Sequence, residues 1–190
     1  MNRRTWLNAA TATAFALAWG PGGAQPAGAQ PASAPPGTQR SLVVLEFELV
    51  DDQNNPVTKE AQDVRLRNAT LQLQRELTAR QLYRVVDPAP SQELQRKLRA
   101  QQEFLYRCDD CAAQVGQLLG VDLVMATWVQ KVSELILNLN VQILDVKTQA
   151  VVFTKSVDMR GNQDATWTRA VSYLVRDMAE KRERNPKYGQ

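Results

Sequence analysis

The sequence predicts an α+β domain: a mixed sheet with an antiparallel three-stranded meander, and helices packed on one face. Three observations carry this. Apolar and polar residues alternate through closely spaced segments between Val121 and Met159, as in strands with one buried and one wet face. Other stretches repeat apolar residues at three- and four-residue spacing, as amphipathic helices do. Turn-forming residues separate these segments into the order β-α-β-α-α-β-β-β-α.

The first strand is read in Ser41 to Asp52, with Val43, Leu45, Phe47 and Leu49 on one face and Glu46 and Glu48 on the other. The "DDQNNP" stretch then turns the chain. Thr58 stands at the cap of a helix from Lys59 to about Gln81, whose stripe is Leu66, Ala69, Leu73 and Leu77. Leu82 to Asp87 is a short strand, stopped by "PAP". Ser91 caps a second helix with Leu94, Leu98 and Leu105 in line. A third helix carries Ala112, Val115, Leu118 and Leu119 and ends at Gly120, where a left-handed glycine closes helices.

The meander follows over Val121 to Val132, Glu134 to Val146 and Ala150 to Met159. Its middle strand alternates Leu135, Leu137, Leu139, Val141 and Ile143 with Asn138, Asn140 and Gln142, and the short connections require antiparallel pairing. The last helix buries Trp167, Ala170, Val171, Leu174, Val175 and Met178, with Asn162 or Asp164 as its cap.

Residues 1–29 have the anatomy of a signal peptide: Arg3 and Arg4, an apolar run from Leu7 to Trp19, then small residues including Ala27-Gly28-Ala29. That run is short and rich in Ala and Thr, and no later stretch reaches the roughly 18 apolar residues of a membrane span. "NRRTWL" is similar to a twin-arginine signal but has Asn2 where Ser or Thr is usual, so the Sec and twin-arginine routes both stay open. No cysteine follows a candidate cleavage site, so a lipid anchor is not supported. Residues 30–40 read as a flexible Pro/Ala/Gly-rich linker, 41–182 as one domain and 183–190 as a flexible tail. The expected location of the mature chain is the periplasm.

Composition narrows function. The chain has no histidine, which lowers the expectation of acid–base, zinc or haem chemistry. The formal charge is +3, of which Arg3 and Arg4 belong to the leader. The densest charged run, Glu180 to Arg184, alternates in sign and reads as a solvated helix end, so no nucleic-acid partner is expected. Nucleophile-elbow, phosphate-loop and dinucleotide motifs are missing from the sequence. The Asp51/Asp52 and Asp109/Asp110 pairs fit turns better than catalytic dyads. The Asn68-Ala69-Thr70 triplet sits in a helix and reads as incidental. No catalytic residue, cofactor or metal is expected.

The helix ending in Leu119-Gly120-Val121-Asp122 and running into a strand resembles small periplasmic α/β domains of the TolB N-terminal and CsgG-like type. That resemblance spans Ser41 to Arg182. "CDDC", "LGVDLVMATWVQKVSELILNLN" and "VDMRGNQDATW", in that order, resemble more closely an exported bacterial family of DUF2380/DUF3280 type. The resemblance implies an exported single-domain protein and no reaction. Gln149 stands where such a hairpin usually carries Gly.

Cys108 and Cys111 are the only cysteines, spaced C-x-x-C. In an oxidising compartment they read as a disulfide pinning the loop to the next helix. The rival is a thiol–disulfide oxidoreductase, opposed by Asp109 and Asp110, whose charge disfavours a thiolate. Two thiols without histidine make a poor metal site. Trp128, Lys131, Ser133, Asn138 and Asn140 lie on or near strands, and Arg160, Asn162, Asp164 and Trp167 cluster in "RGNQDATW". They read plainly as a solvated sheet face and a capped helix, or functionally as an interaction surface. The overall expectation is a non-catalytic accessory or interaction protein, partnered by another envelope or periplasmic protein. A thiol-redox protein and a small-ligand-binding module between sheet and helices are the alternatives. The oligomeric state stays open.

Overall fold

The computed structural model describes residues 39–51 and 56–190. The expected signal peptide, the linker up to Thr38 and most of the "DDQNNP" turn lie outside the described residues. The elements are β1 (Ser41–Val44), β2 (Glu48–Asp51), α1 (Pro56–Ala79), β3 (Arg84–Val86) and α2 (Gln92–Gln101). They continue as α3 (Cys111–Leu119), β4 (Leu123–Lys131), β5 (Ile136–Asp145), β6 (Val151–Arg160) and α4 (Asp164–Arg184). Short 3₁₀ turns occupy Ala89–Ser91 and Leu105–Arg107.

The sheet is mixed and runs β3-β1-β4-β5-β6, with β2 paired to β4 farther along β1's line. β1 is parallel to β3 and β4, and β2 is parallel to β4. β4, β5 and β6 form the antiparallel meander that the alternation predicts.

The first strand differs from its expected form. Val44 pairs with Met125 and Glu48 with Trp128, so three residues, 45–47, lie opposite only two. This is a bulge. Leu45 still bonds β4, donating its N–H to the Met125 carbonyl at 2.9 Å, while Phe47 donates to the Thr70 hydroxyl at 3.0 Å. One extra residue reverses which way later side chains face, and it aims Glu48 and Asp51 at different partners.

The helices also differ from expectation: they cover both faces. Leu42 and Val44 join α1, α4 and the buried side of the meander in the larger core. Val43, Leu45 and Val124 join Leu98 of α2 and Val115 of α3 in a second core behind the sheet. The strands β1 and β4 are buried on both sides, which the near-continuous run "LVVL" records. Close seating of α3 requires Gly116: a Cβ there would meet Val146 and come within 2.7 Å of Val124 Cγ2.

Local signals resolve unevenly. Gly120 takes φ +61° and ends α3, as read. Gln149 takes φ 57°, the conformation a glycine would favour in that hairpin. At α4 the cap position falls on Gln163, without a side-chain cap, so neither Asn162 nor Asp164 fills the role assigned to it. Ser91 stands at the start of α2, but its hydroxyl donates back to the Pro88 carbonyl at 2.7 Å. The expected flexible tail, 183–190, is docked: Tyr83 Oη donates to the Gly189 carbonyl, and Arg182 Nε donates to the Tyr188 carbonyl at 3.0 Å.

Candidate interaction face

The two faces of the meander have different fates. Leu137, Leu139, Val141 and Ile143 point into the larger core. The opposite face carries Asn138 and Asn140 on β5, half-buried, and Thr154, Ser156, Asp158 and Arg160 on β6, exposed. The register sets them in rows: Trp128, Asn140 and Ser156 lie abreast, as do Gln130, Asn138 and Asp158. With its amide oriented to donate, Asn138 reaches Asp158 Oδ1 at 3.2 Å. Asn140 Nδ2 donates to the Asn138 carbonyl at 3.0 Å.

Trp128 borders this face. Its indole stacks on Tyr106, ring centroids 4.3 Å apart and planes 6° from parallel. Phe104 lies 5.6 Å from Tyr106, and the Arg107 guanidinium sits 5.3 Å from the Tyr106 ring centre. Glu48 holds this turn from below: it accepts Leu105 N–H at 2.9 Å and Tyr106 N–H at 3.2 Å, with Arg99 at 3.6 Å. Burial raises the Glu48 pKa, and the two amides and Arg99 only partly counter it.

The predicted site residues divide. Trp128, Asn138, Asn140 and Arg160 share the outer face. Lys131 points the other way: it is buried, and its Nζ donates to Asp51 at 2.8 Å and Glu134 at 2.6 Å. Burial pulls the Lys131 pKa down, but those carboxylates outweigh it and set it above the ordinary value. Ser133 shapes the β4–β5 hairpin, its hydroxyl accepting Leu135 and Ile136 N–H at 3.2 Å. Asn162 Nδ2 donates to Glu134 at 2.9 Å, and its Oδ1 accepts Trp167 Nε1 at 2.9 Å. Trp167 is core, and Asp164 pairs with Arg65 at 2.7 Å.

Cys108 and Cys111 are bonded sulfur to sulfur, Cα atoms 5.4 Å apart, at the start of α3. Among the described residues, Cys108, Asp110 and Cys111 are the one group that gathers three side chains able to ligate a metal. With both sulfurs in the disulfide, no thiolate remains to ligate.

Sequence reasoning passed over Phe104, Tyr106, Arg107 and Glu48. The aromatic pair flanking Leu105 just before Cys108 was the available signal. Asp122 explains part of the "LGVD" phrase: its carboxylate accepts Ser41 Oγ at 2.6 Å and Ser41 N–H at 2.8 Å, tying the first strand to β4.

Fold and face together define a small α+β domain whose meander keeps one polar face exposed. Residues 40–178 match the family described as "Protein of unknown function (DUF2380)", DUF3280, and the chain belongs to that family. No curated protein matches the sequence. Among solved structures the chain is similar to Escherichia coli LpoB (12% identity, 85% of this chain and 90% of that one, TM-score 0.47). It is similar to the PelC dodecamer of Paraburkholderia phytofirmans (11%, 80% and 89%, 0.45). It is also similar to TolB of Acinetobacter baumannii (9%, 78% and 29%, 0.46).

Proposed function

We propose that this chain is an exported, periplasmic, non-catalytic interaction protein of the bacterial envelope, which meets a protein partner through the outer face of its meander. The carrying observation is that face itself: rows of Asn, Ser, Thr, Asp and Arg side chains beside a half-buried Trp128. Such a surface offers side-chain donors and acceptors, and an Arg, beside a Trp, a residue type that anchors interfaces. The leader read in residues 1–29 and the bonded cysteines both suit an oxidising compartment. The redox alternative is disfavoured by Cys111, which is buried, and by Asp110, whose Oδ1 lies 3.5 Å from Cys108 Sγ.

Thr154→Glu combined with Ser156→Lys tests the reading. Both side chains face outward, so the thermal midpoint should hold while recovery of a discrete partner from periplasmic extract is lost. Recovery of the same partner by the double variant would rule the face out.

A further inference from the structure

β3 pairs with β1 only as far as Val43 opposite Val86, and the chain then turns away at Asp87-Pro88. β2 starts farther along and pairs with β4 alone. The strand position beside β2 is therefore empty among the described residues. A strand sends alternate backbone N–H and C=O groups to its two edges. Of Glu48, Leu49 and Val50, the groups that do not pair with β4 face this position.

The position is not an open sheet edge. It is a groove, with α1 on one side and α2 with the Leu105–Arg107 turn on the other. A cavity of about 730 Å³ runs along β2. A second, of about 540 Å³, continues it past the end of β3, and the two share Glu46, Arg67 and Arg99. Helix walls exclude a second sheet but admit a single extended chain.

Two further observations suit such an occupant. Gln62, on the α1 wall, is 1% exposed, and its Oε1 is the one buried side-chain polar atom among the described residues without a hydrogen-bond partner. A buried acceptor left unmade is costly, and a peptide N–H is the donor it lacks. The lining carries both signs: Arg67 and Arg107 make no ion pair with the described residues, nor do Glu46 and Glu103. A peptide carrying both charges complements it.

We propose that this groove binds an extended peptide segment of a partner protein, which adds to β2 as the missing strand. The inference rests on the interaction-module reading but uses a surface separate from the meander face.

The mature protein is screened against displayed random hexapeptides. The enriched sequences are then made in plain form and N-methylated at alternate residues. The expected result is that N-methylation in one of the two phases weakens binding about tenfold or more, because it removes backbone donors. Amide exchange should slow at β2. Gln62→Leu should weaken binding several-fold while raising the urea midpoint, a combination a purely structural role does not give. The proposal fails if no sequence enriches, if N-methylation in both phases leaves affinity intact, or if protection falls on β5 and β6 instead of β2. The double variant of the meander face serves as the control: it should leave peptide binding unchanged, so failure here is distinguishable from failure of the meander face.

Discussion

Trp128 and Tyr106 stack ring on ring, centroids 4.3 Å apart, and this contact fixes the loop before the disulfide to the sheet. One side of the indole is thus already covered, and Trp128 acts as the border of the outer face. Parallel aromatic pairs contribute about 0.5–1.5 kcal/mol beyond their burial. A double-mutant cycle of Trp128→Ala and Tyr106→Ala in urea should return a coupling in that range. A coupling near zero would mean the stack does not hold the turn.

Glu48 links pH to this same turn. Burial raises its pKa, so the native state holds this proton to higher pH than the unfolded chain does. A raised carboxyl gives stability that is fully present below the ordinary glutamate value, about 4.3, and is lost as pH rises through the folded value. Glu48→Gln should remove that loss, flattening the urea midpoint across the range just above pH 4. An unchanged slope would contradict the assignment.

Asp145 works in the opposite sense. The Thr148 amide, and after it Arg40 at 2.5 Å, hold its carboxyl down at about 2. Its contribution is present above the ordinary aspartate value of about 3.9 and is lost as pH falls towards about 2. Asp145→Asn should lower stability at neutral pH and lose less of it on acidification, as followed by thermal melts from pH 5 to 2.

Closing a loop as short as Cys108–Cys111 stabilises by about 2 kcal/mol in the chain-entropy account. Cys108→Ser with Cys111→Ser should cost about that much in urea and leave partner recovery intact. Loss of recovery from a still-folded variant would reopen the redox reading.

Gly116→Ala should destabilise by about 1–3 kcal/mol despite the better helix propensity of alanine, because the added Cβ has no room against Val124 and Val146. Adding Val146→Ala should recover part of the loss.

The meander was legible because its register follows from a period-two pattern and short turns: Leu137, Leu139, Val141 and Ile143 announce one buried face, whereas Leu135, read on that same face, is exposed in the hairpin turn before β5. The bulge at 45–47 was not, since an inserted residue leaves no compositional mark and Leu45 and Phe47 look like one face until the partner strand is known. The two-sided helix packing was partly written in "LVVL", but a short apolar run alone does not distinguish one buried face from two. The outer face was legible through Asn138 and Asn140. The turn carrying Tyr106 was not, because its placement depends on Glu48, 57 residues away from Leu105 in sequence. Asn162 shows the limit of capping rules: the same amide suits a cap or, as here, a link between Glu134 and Trp167.

The central claim is that the outer face of the meander is where a partner sits. Site-specific photocrosslinking in living cells tests it most directly, with a benzophenone amino acid placed in turn at Asn138, Asn140 and Ser156, and at exposed Arg176 on α4 as control. The account predicts one discrete protein adduct from the three face positions and none from Arg176. Adducts from Arg176 alone, or from none of the four positions, would contradict it.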